Sequence, residues 1–216
     1  MYISRVELDT SRNATRLALG NLQTLHAAVE ACFSAESTER KLWRIDLLRK
    51  NLYLLIVSQS LPDFGSISKQ FCVSGSSCET KDYSPLLNSI ETGKRFAFRF
   101  RGNPVSCVSR DTLRDERGKV MPHITAAQKC EWFSKKAVAS GFSLGASDFW
   151  LAETGRNRFY REDRDAKRKN RIEVSYAVFE GELTVTDADL FVNALTQGIG
   201  KAKAYGCGML TVVKPR

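Results

Sequence analysis

Four glycines and two lysines around residue 200 form the segment with the clearest capacity for chemistry. The segment QGIGKAKAYGCGML spans residues 197–210. Its glycines and lysines are Gly198, Gly200, Lys201, Lys203, Gly206 and Gly208. Glycine adopts positive φ and allows another backbone to approach closely, and such loops can turn N–H groups toward an anion. We therefore predict that this glycine loop binds phosphate, with the lysines adding positive charge.

The spacing of these glycines differs from that of two common nucleotide-binding motifs. A dinucleotide-binding GxGxxG motif requires glycine where this sequence has Lys203, and a P-loop requires serine or threonine where it has Ala202. Both motifs also run from a strand into a helix, whereas here a predicted helix precedes the loop. A glycine that only ends a helix is the remaining alternative, but a single glycine would serve for that.

A second candidate is the basic segment RNRFYREDRDAKRKNR, residues 156–171, which lies between two predicted strands. It contains eight basic and three acidic side chains, a net charge of +5. A long basic hairpin of this kind suits the phosphates along the deep groove of A-form RNA. A solvated, disordered run of charges is the alternative. The predicted RNA-binding side chains are Arg156, Arg158, Arg161, Lys167, Arg168 and Lys169.

The charge of the chain is unevenly distributed. The formal net charge is +9, and residues 1–93 contain ten basic and ten acidic side chains, whereas residues 94–216 contain 23 and 14. A basic half beside a neutral half predicts a polyanionic partner that is held mainly by the second half. The alternative is a surface charge that only keeps the protein in solution.

Other classes of protein fit the sequence less well. Six cysteines without a CxxC pair and only two histidines argue against a zinc site. The acidic pair Asp187 and Asp189 begins a predicted helix, so capping is the expected role. MYISRVELDT lacks the features of a signal peptide, and no apolar run approaches the roughly 20 residues of a membrane span. We expect a cytoplasmic protein with reduced thiols, no metal and no cofactor.

The hydrophobic periodicity predicts two successive βαββαβ units. The predicted elements of the first are strand 2–8, helix 21–33, strands 42–48 and 51–59, a weak helix or loop, and an edge strand within TKDYSPLL. Those of the second are strand 95–102, helix 125–142, a strand in ASDFWLAETG, strand 171–186, helix 187–198 and a strand in GMLTVVKP. This order predicts an α+β fold of two tandem ferredoxin-like (RRM-like) domains, residues 1–90 and 91–216.

The strand RFAFRFRG only loosely matches the pattern with which RNA-recognition modules stack bases. It lacks the glycine of that pattern. We therefore predict that Phe96, Phe98 and Phe100 build core rather than a base-stacking surface.

Several segments resemble a known family over the whole length of the chain. They are the glycine loop, MYISRVELD, RFRGNPV (99–105) and FEGELTVTDADLFVNALTQGIGKAKAYGCGML (179–210). These segments are similar to the CasE family, the CRISPR repeat-processing endoribonucleases of type I-E systems. The resemblance implies two ferredoxin-like domains and metal-independent cleavage of precursor crRNA at the 3′ base of the repeat stem. It also implies a product that stays bound, with the protein joining the Cascade complex.

The implied reaction is attack of a ribose 2′-OH on the adjacent phosphate, which leaves a 2′,3′-cyclic phosphate and a 5′-OH. It requires a base, an acid and cationic help, and histidine titrates near the working pH. From spacing alone, His26 at the border of an apolar helix stripe could equally be a half-buried interface residue. The resemblance implies that His26 is the catalytic acid or base and that Lys203 supports it.

One position departs from the family pattern. Many members have a tyrosine three residues before the histidine, where this chain has Gln23. Glutamine can hydrogen-bond a phosphate or a ribose but cannot transfer a proton. A non-catalytic subunit of the same fold that binds structured RNA is therefore an alternative function. A phosphate enzyme that acts on a small molecule through the glycine loop is a third, and its function would be insensitive to salt.

Overall fold

The first half of the chain forms a four-stranded antiparallel sheet covered by helices. The computed structural model describes residues 1–75, 78–108, 119–163 and 168–215. The first elements are β1 (Tyr2–Leu8), α1 (Asn13–Gly20), α2 (Leu22–Glu30), β2 (Leu42–Leu48), β3 (Asn51–Ser58), α3 (Gly65–Phe71), β4 (Glu79–Asp82) and α4 (Ser84–Asn88). The strand order is β2-β3-β1-β4. Val6 of β1, Leu25 of α2 and Ile67 of α3 lie in one buried cluster.

The second half repeats this plan with two additions. Its elements are β5 (Arg95–Gly102), β6 (Val105–Val108), β7 (Lys119–Pro122), α5 (Ala126–Ala139), β8 (Phe142–Ser143), β9 (Phe149–Asp163), β10 (Arg168–Val185), α6 (Ala188–Gln197), a 3-10 helix (Lys203–Tyr205) and β11 (Leu210–Val213). The order is β11-β5-β10-β8, and β9 also pairs with β10. The additions are the small β6–β7 sheet and the long extension of the β9–β10 hairpin.

Both sheets place the first strand of the unit between the third and the fourth, which is the ferredoxin-like arrangement. The predicted tandem ferredoxin-like fold is therefore confirmed. The two sheets use separate parts of the chain, with residues 83–94 between them. We retain the division into domains at residues 90 and 91 as a proposal.

Two of the predicted elements differ from the structure. The helix predicted over residues 21–33 is α2, which ends at Glu30, and a separate helix α1 precedes it. Asn21 separates the two because it has extended φ/ψ and its side chain accepts a hydrogen bond from Gln23 N. TKDYSPLL is a strand only as far as Asp82, since Pro85 then lies in the first turn of α4, where a missing N–H costs nothing.

The phenylalanines of β5 confirm the prediction of a core role. Phe96, Phe98 and Phe100 are all buried. The ring of Phe100 stacks on Phe133 of α5 at a centroid distance of 4.9 Å, and Phe133 stacks on Phe179 of β10 at 4.5 Å. This face of the second sheet is therefore filled by its helices.

A buried arginine joins the two units. Arg44 of β2 is bonded to Asp46 through both carboxylate oxygens, at 2.8 and 2.6 Å. The same guanidinium donates to the carbonyl oxygens of Arg99 and Met209 and to Thr211 Oγ1 in the second sheet. It fixes the position of β2 against β5 and β11.

Candidate functional site

The site begins on helix α2, which carries His26 at the edge of its buried stripe. Leu22, Leu25 and Val29 face the core, and the His26 side chain is 27% exposed. His26 Nδ1 is buried and has no hydrogen-bond partner among the described residues. The carboxylate of Glu30 lies nearby, with Oε1 3.8 Å from Nδ1. One edge of the ring is thus enclosed while the side chain as a whole reaches solvent.

The surroundings of His26 favour the neutral ring. Burial lowers the pKa of His26 from its ordinary value, Glu30 opposes this, and the nearby charges of Lys41 and Arg161 lower it further. Lys41 in turn donates to Glu30 Oε2 at 2.9 Å, so the carboxylate is shared between the lysine and the histidine. A neutral imidazole at pH 7 can accept a proton from a hydroxyl group.

Strand β9 places Arg161 toward this histidine. Residues 159 and 161 share a face of the strand because side chains alternate, and Phe159 on that face is buried in the core of the first unit. Asn21 at the start of α2 contacts the carbonyl of Tyr160 at 3.5 Å. The charge of Arg161 acts on His26 from this position. Helix α2 and the basic hairpin therefore meet at the histidine.

The opposite face of β9 carries Arg156, Arg158 and Tyr160, all exposed. Both arginines pair with one carboxylate of β10, since Glu173 lies 3.3 Å from Arg156 and 3.0 Å from Arg158. Of the predicted RNA-binding side chains, Arg156 and Arg158 therefore lie on the opposite face of β9 from Arg161.

The other basic positions lie farther along the hairpin. Residues 168 and 169 pair with residues 163 and 162 in the β-ladder. Lys167 lies outside the described residues. The hairpin itself was correctly predicted, and the binding roles of its side chains stay predictions.

The glycine loop follows α6 and leads into β11, and all four of its glycines have positive φ, between 73° and 92°. Three of the four N–H groups are already bonded within the chain: Gly198 to Ala194 O, Gly206 to Lys203 O and Gly208 to Arg101 O. In this conformation these three N–H groups are not available to phosphate, contrary to the reasoning from sequence. The binding roles predicted for the glycines stay predictions.

Close packing against β2 gives the glycines another role. A Cβ on Gly198 would lie 2.7 Å from Leu42 Cδ2, and one on Gly206 would lie 2.9 Å from the ring of Trp43. Positions with positive φ strain any L side chain, and here the space is also missing. The loop can therefore lie on the first unit only because these positions are glycine.

The loop brings further groups to helix α2. The 3-10 helix carries Tyr205, whose hydroxyl lies 3.5 Å from Gln23 Oε1, and whose ring packs edge-on against Phe159 at 4.9 Å. Lys203 is partly buried, and burial first and the charge of Arg40 second lower its pKa. Lys201 is exposed.

The structure thus brings three segments together: α2 with Gln23 and His26, β9 with Arg161, and the loop with Tyr205. Reasoning from sequence did not select Tyr205, although it lies inside the glycine segment, because only the glycines and the charged lysines of that segment were considered for phosphate binding. It also did not select Glu30 and Lys41, which lie near His26 but belong to no recognisable sequence motif.

Two further expectations concern metal ions and membranes. Among the described residues, no three His, Cys, Asp or Glu side chains are grouped so as to hold a metal ion. Asp187 caps α6 by accepting from Leu190 N, which confirms its predicted structural role. None of the helices in the described ranges is long and apolar enough to span a membrane.

Comparisons with known proteins agree with this architecture. The chain is 26% identical over 222 residues to the CRISPR-associated endoribonuclease Cse3 of Thermus thermophilus, covering 98% of this chain and 99% of the relative. It is 27% identical over 128 residues to the CRISPR system Cascade subunit CasE of Escherichia coli, covering 57% of this chain and 60% of the relative.

A solved structure of the CRISPR endoribonuclease Cse3 bound to a 19-nucleotide RNA has the same fold. Its TM-score is 0.82 at 24% identity, and the match covers 99% of this chain and 100% of that one. The family described as CRISPR associated protein matches residues 1–214. Since this match takes in nearly the whole sequence, the chain belongs to the family of CRISPR-associated proteins.

Proposed function

We propose that this protein is a metal-independent endoribonuclease that binds the stem-loop of CRISPR repeat RNA and cuts precursor crRNA at the 3′ base of the stem. The observation that carries the proposal is the position of His26, half-buried on α2 and close to an arginine of the basic hairpin. The activity named for the Thermus thermophilus relative supports the same reaction class.

The chemistry needs few groups. The 2′-oxygen attacks the phosphorus, the bond from phosphorus to the 5′-oxygen breaks, and the products are a 2′,3′-cyclic phosphate and a 5′-OH. His26 takes the proton from the 2′-OH or gives one to the 5′-oxygen. Arg161 and Lys203 offset the charge that develops on the phosphate, an electrostatic contribution that is large in catalysis. Gln23 hydrogen-bonds a phosphate or ribose oxygen.

The hairpin and the glycine loop bind the RNA. Arg156, Arg158 and Arg161, together with Lys167, Arg168, Lys169 and Lys201, contact backbone phosphates of the stem. The binding energy then depends strongly on salt, because each neutralised phosphate releases counterions. We further propose that the product stays bound and that the protein acts in the cytoplasm as a subunit of Cascade, as the name of the Escherichia coli relative indicates for that protein.

The experiment is cleavage of a labelled repeat hairpin in excess EDTA by the parent protein and by His26→Ala. We expect the parent to cut and the variant to bind equally well but to cut at least about 100-fold more slowly, as for loss of a general acid or base. Gln70→Ala, an exposed position on α3, is the control and should match the parent.

Two other outcomes would change the assignment. Equal cleavage by the parent and His26→Ala would move the catalytic group elsewhere. If neither protein cuts although both bind tightly, the alternative of a non-catalytic RNA-binding subunit is correct. Gln23 favours that alternative because it cannot transfer a proton.

A further inference from the structure

We propose that Tyr205 is a further catalytic residue, whose hydroxyl contacts the scissile phosphate beside His26. The proposal rests on the proposed function and adds a group that comes from the glycine loop. The loop was predicted to act through its backbone and its lysines. The geometry points instead to a phenol that no pattern in the sequence singled out.

The first argument is position. Gln23 and His26 are three residues apart on α2, so they lie on the same face with Cβ atoms about 5–6 Å apart. The hydroxyl of Tyr205 lies 3.5 Å from Gln23 Oε1. The hydroxyl of Tyr205 therefore lies at the end of the side chain that neighbours His26 on this face of α2.

The second argument is that the position of the phenol is fixed. Its ring packs edge-on against Phe159, with 4.9 Å between the centroids. Its backbone N–H donates to Ala202 O at 2.9 Å. Gly206 follows immediately and lies directly against Trp43. A group held in this way loses little entropy when substrate binds, which is the condition for efficient positioning.

The third argument is that the hydroxyl is free to act. Strong O–H···O hydrogen bonds span about 2.5–3.0 Å, so the 3.5 Å contact with Gln23 is a weak one. Within the described ranges the hydroxyl has no closer partner, and Tyr205 is partly exposed. An incoming phosphate oxygen would be a better acceptor, because hydrogen bonds to charged groups are shorter and stronger.

The surrounding charge favours such an acceptor. Arg161 and Lys41 both act on the adjacent His26, and Lys203 is two residues before the tyrosine. The phenol would donate to a non-bridging oxygen whose negative charge increases in the transition state. Gln23 would act as a positioning residue: when the phenol proton turns from Gln23 Oε1 to the phosphate, the side-chain NH2 of Gln23 can donate to the phenol oxygen without taking part in proton transfer.

The test is Tyr205→Phe, which removes one oxygen and keeps the ring that packs on Phe159. We expect the single-turnover rate at saturating repeat RNA to fall about 100-fold, as for loss of one hydrogen-bond donor to a developing oxyanion. The dissociation constant for RNA and the melting temperature should stay unchanged. Tyr53→Phe is the matched control: Tyr53 lies on β3, and its hydroxyl makes a similarly long 3.4 Å contact with Glu7 of β1. The cleavage rate of this variant should equal that of the parent.

A double-mutant cycle tests the role of Gln23. Gln23→Ala should slow the parent by a larger factor than it slows Tyr205→Phe, because the part of its contribution that passes through the hydroxyl is already lost in that variant. The Tyr205 proposal is overturned if Tyr205→Phe cuts within about threefold of the parent while His26→Ala does not cut. It is also overturned if the loss of cleavage rate in Tyr205→Phe is fully explained by weaker RNA binding or by a lower melting temperature. A parent that never cuts would instead refute the proposed function.

Discussion

The charge state of His26 depends on a small set of neighbours. The ring is partly buried, one carboxylate favours its protonation, and two cations oppose it. The folded-state pKa of His26 lies below its unfolded value of about 6.5. Folding therefore favours the neutral ring, and this contribution to stability is complete above pH 6.5 and is lost as pH falls through the folded-state pKa.

Replacing Glu30 should lower the pKa of His26 further. Glu30→Gln removes the carboxylate that raises the pKa of His26 and removes the ion-pair partner of Lys41. Both changes disfavour the imidazolium, so the midpoint of His26 should move to lower pH. An NMR titration of the His26 ring, assigned by its absence in His26→Ala, measures this shift.

The matched control for this titration is Glu91→Gln. Glu91 is an exposed carboxylate that pairs with Lys94, and its replacement should leave the midpoint of His26 where it is. A midpoint that rises in Glu30→Gln, or stays unchanged, would mean that another group sets the protonation of the ring.

At the scale of the element, the basic hairpin is partly neutralised by its own strand β10. Glu173 pairs with both Arg156 and Arg158. RNA phosphates must compete with this carboxylate for the two guanidinium groups. Under the proposed RNA-binding role, the affinity of the hairpin for RNA is therefore lower than its net charge alone would give.

Removing that competitor should strengthen binding. We expect Glu173→Gln to lower the dissociation constant for the repeat hairpin about three- to tenfold at low salt, with a steeper dependence on salt. Fluorescence anisotropy at several salt concentrations measures both. Glu182→Gln, which frees the exposed Arg95 on β5, is the control and should bind as the parent does. Unchanged affinity in Glu173→Gln would show that the two arginines do not contact phosphate.

The sequence predicted most of these elements because hydrophobic periodicity is a local signal. The pattern of apolar residues placed β1 and β5 correctly at both ends, although the alternation in β1 is imperfect. Helix α1 was missed because only Thr15 and Ala18 of its residues are buried, which leaves no apolar stripe. The β6–β7 sheet was missed because it adds short strands to a ferredoxin-like plan that does not require them.

The site was less predictable than the fold. His26 and the hairpin could be selected from residue type and from resemblance. The contact between Tyr205 and Gln23 joins residues 182 positions apart, and the approach of Arg161 to His26 depends on how the units pack. No local pattern encodes such contacts, since they follow from the packing of β9 and of the glycine loop against α2.

At the scale of the whole molecule, Arg44 links the two sheets. Its guanidinium is bonded to Asp46 and to three acceptors in the second unit. Among the described residues, removing Arg44 would leave Asp46 with only its 3.2 Å pair to Arg99 Nε. It would also take the donor from three acceptors, and breaking a buried ion pair typically costs about 3–5 kcal/mol. The position of α2 relative to the glycine loop depends on the same Arg44 contacts between the two units.

We therefore expect Arg44→Leu to lower the free energy of unfolding by about 3–5 kcal/mol, measured by urea denaturation. Arg95→Leu is the control: its ion pair with Glu182 is exposed, and surface pairs contribute at most about 1 kcal/mol. A loss below about 1 kcal/mol in Arg44→Leu would mean that the two units are held together mainly by their apolar contacts.

The glycine loop, which packs on Trp43, is synthesised after the other two segments of the proposed site. A ribosome adds residues from the N-terminus, and early segments begin to fold before later ones emerge. His26 is made long before Arg161, and Arg161 long before Tyr205. A nascent chain thus carries the imidazole without the groups that complete its site. The protein should become able to cut RNA only late in translation, after the glycine loop has left the ribosome and packed on the first unit.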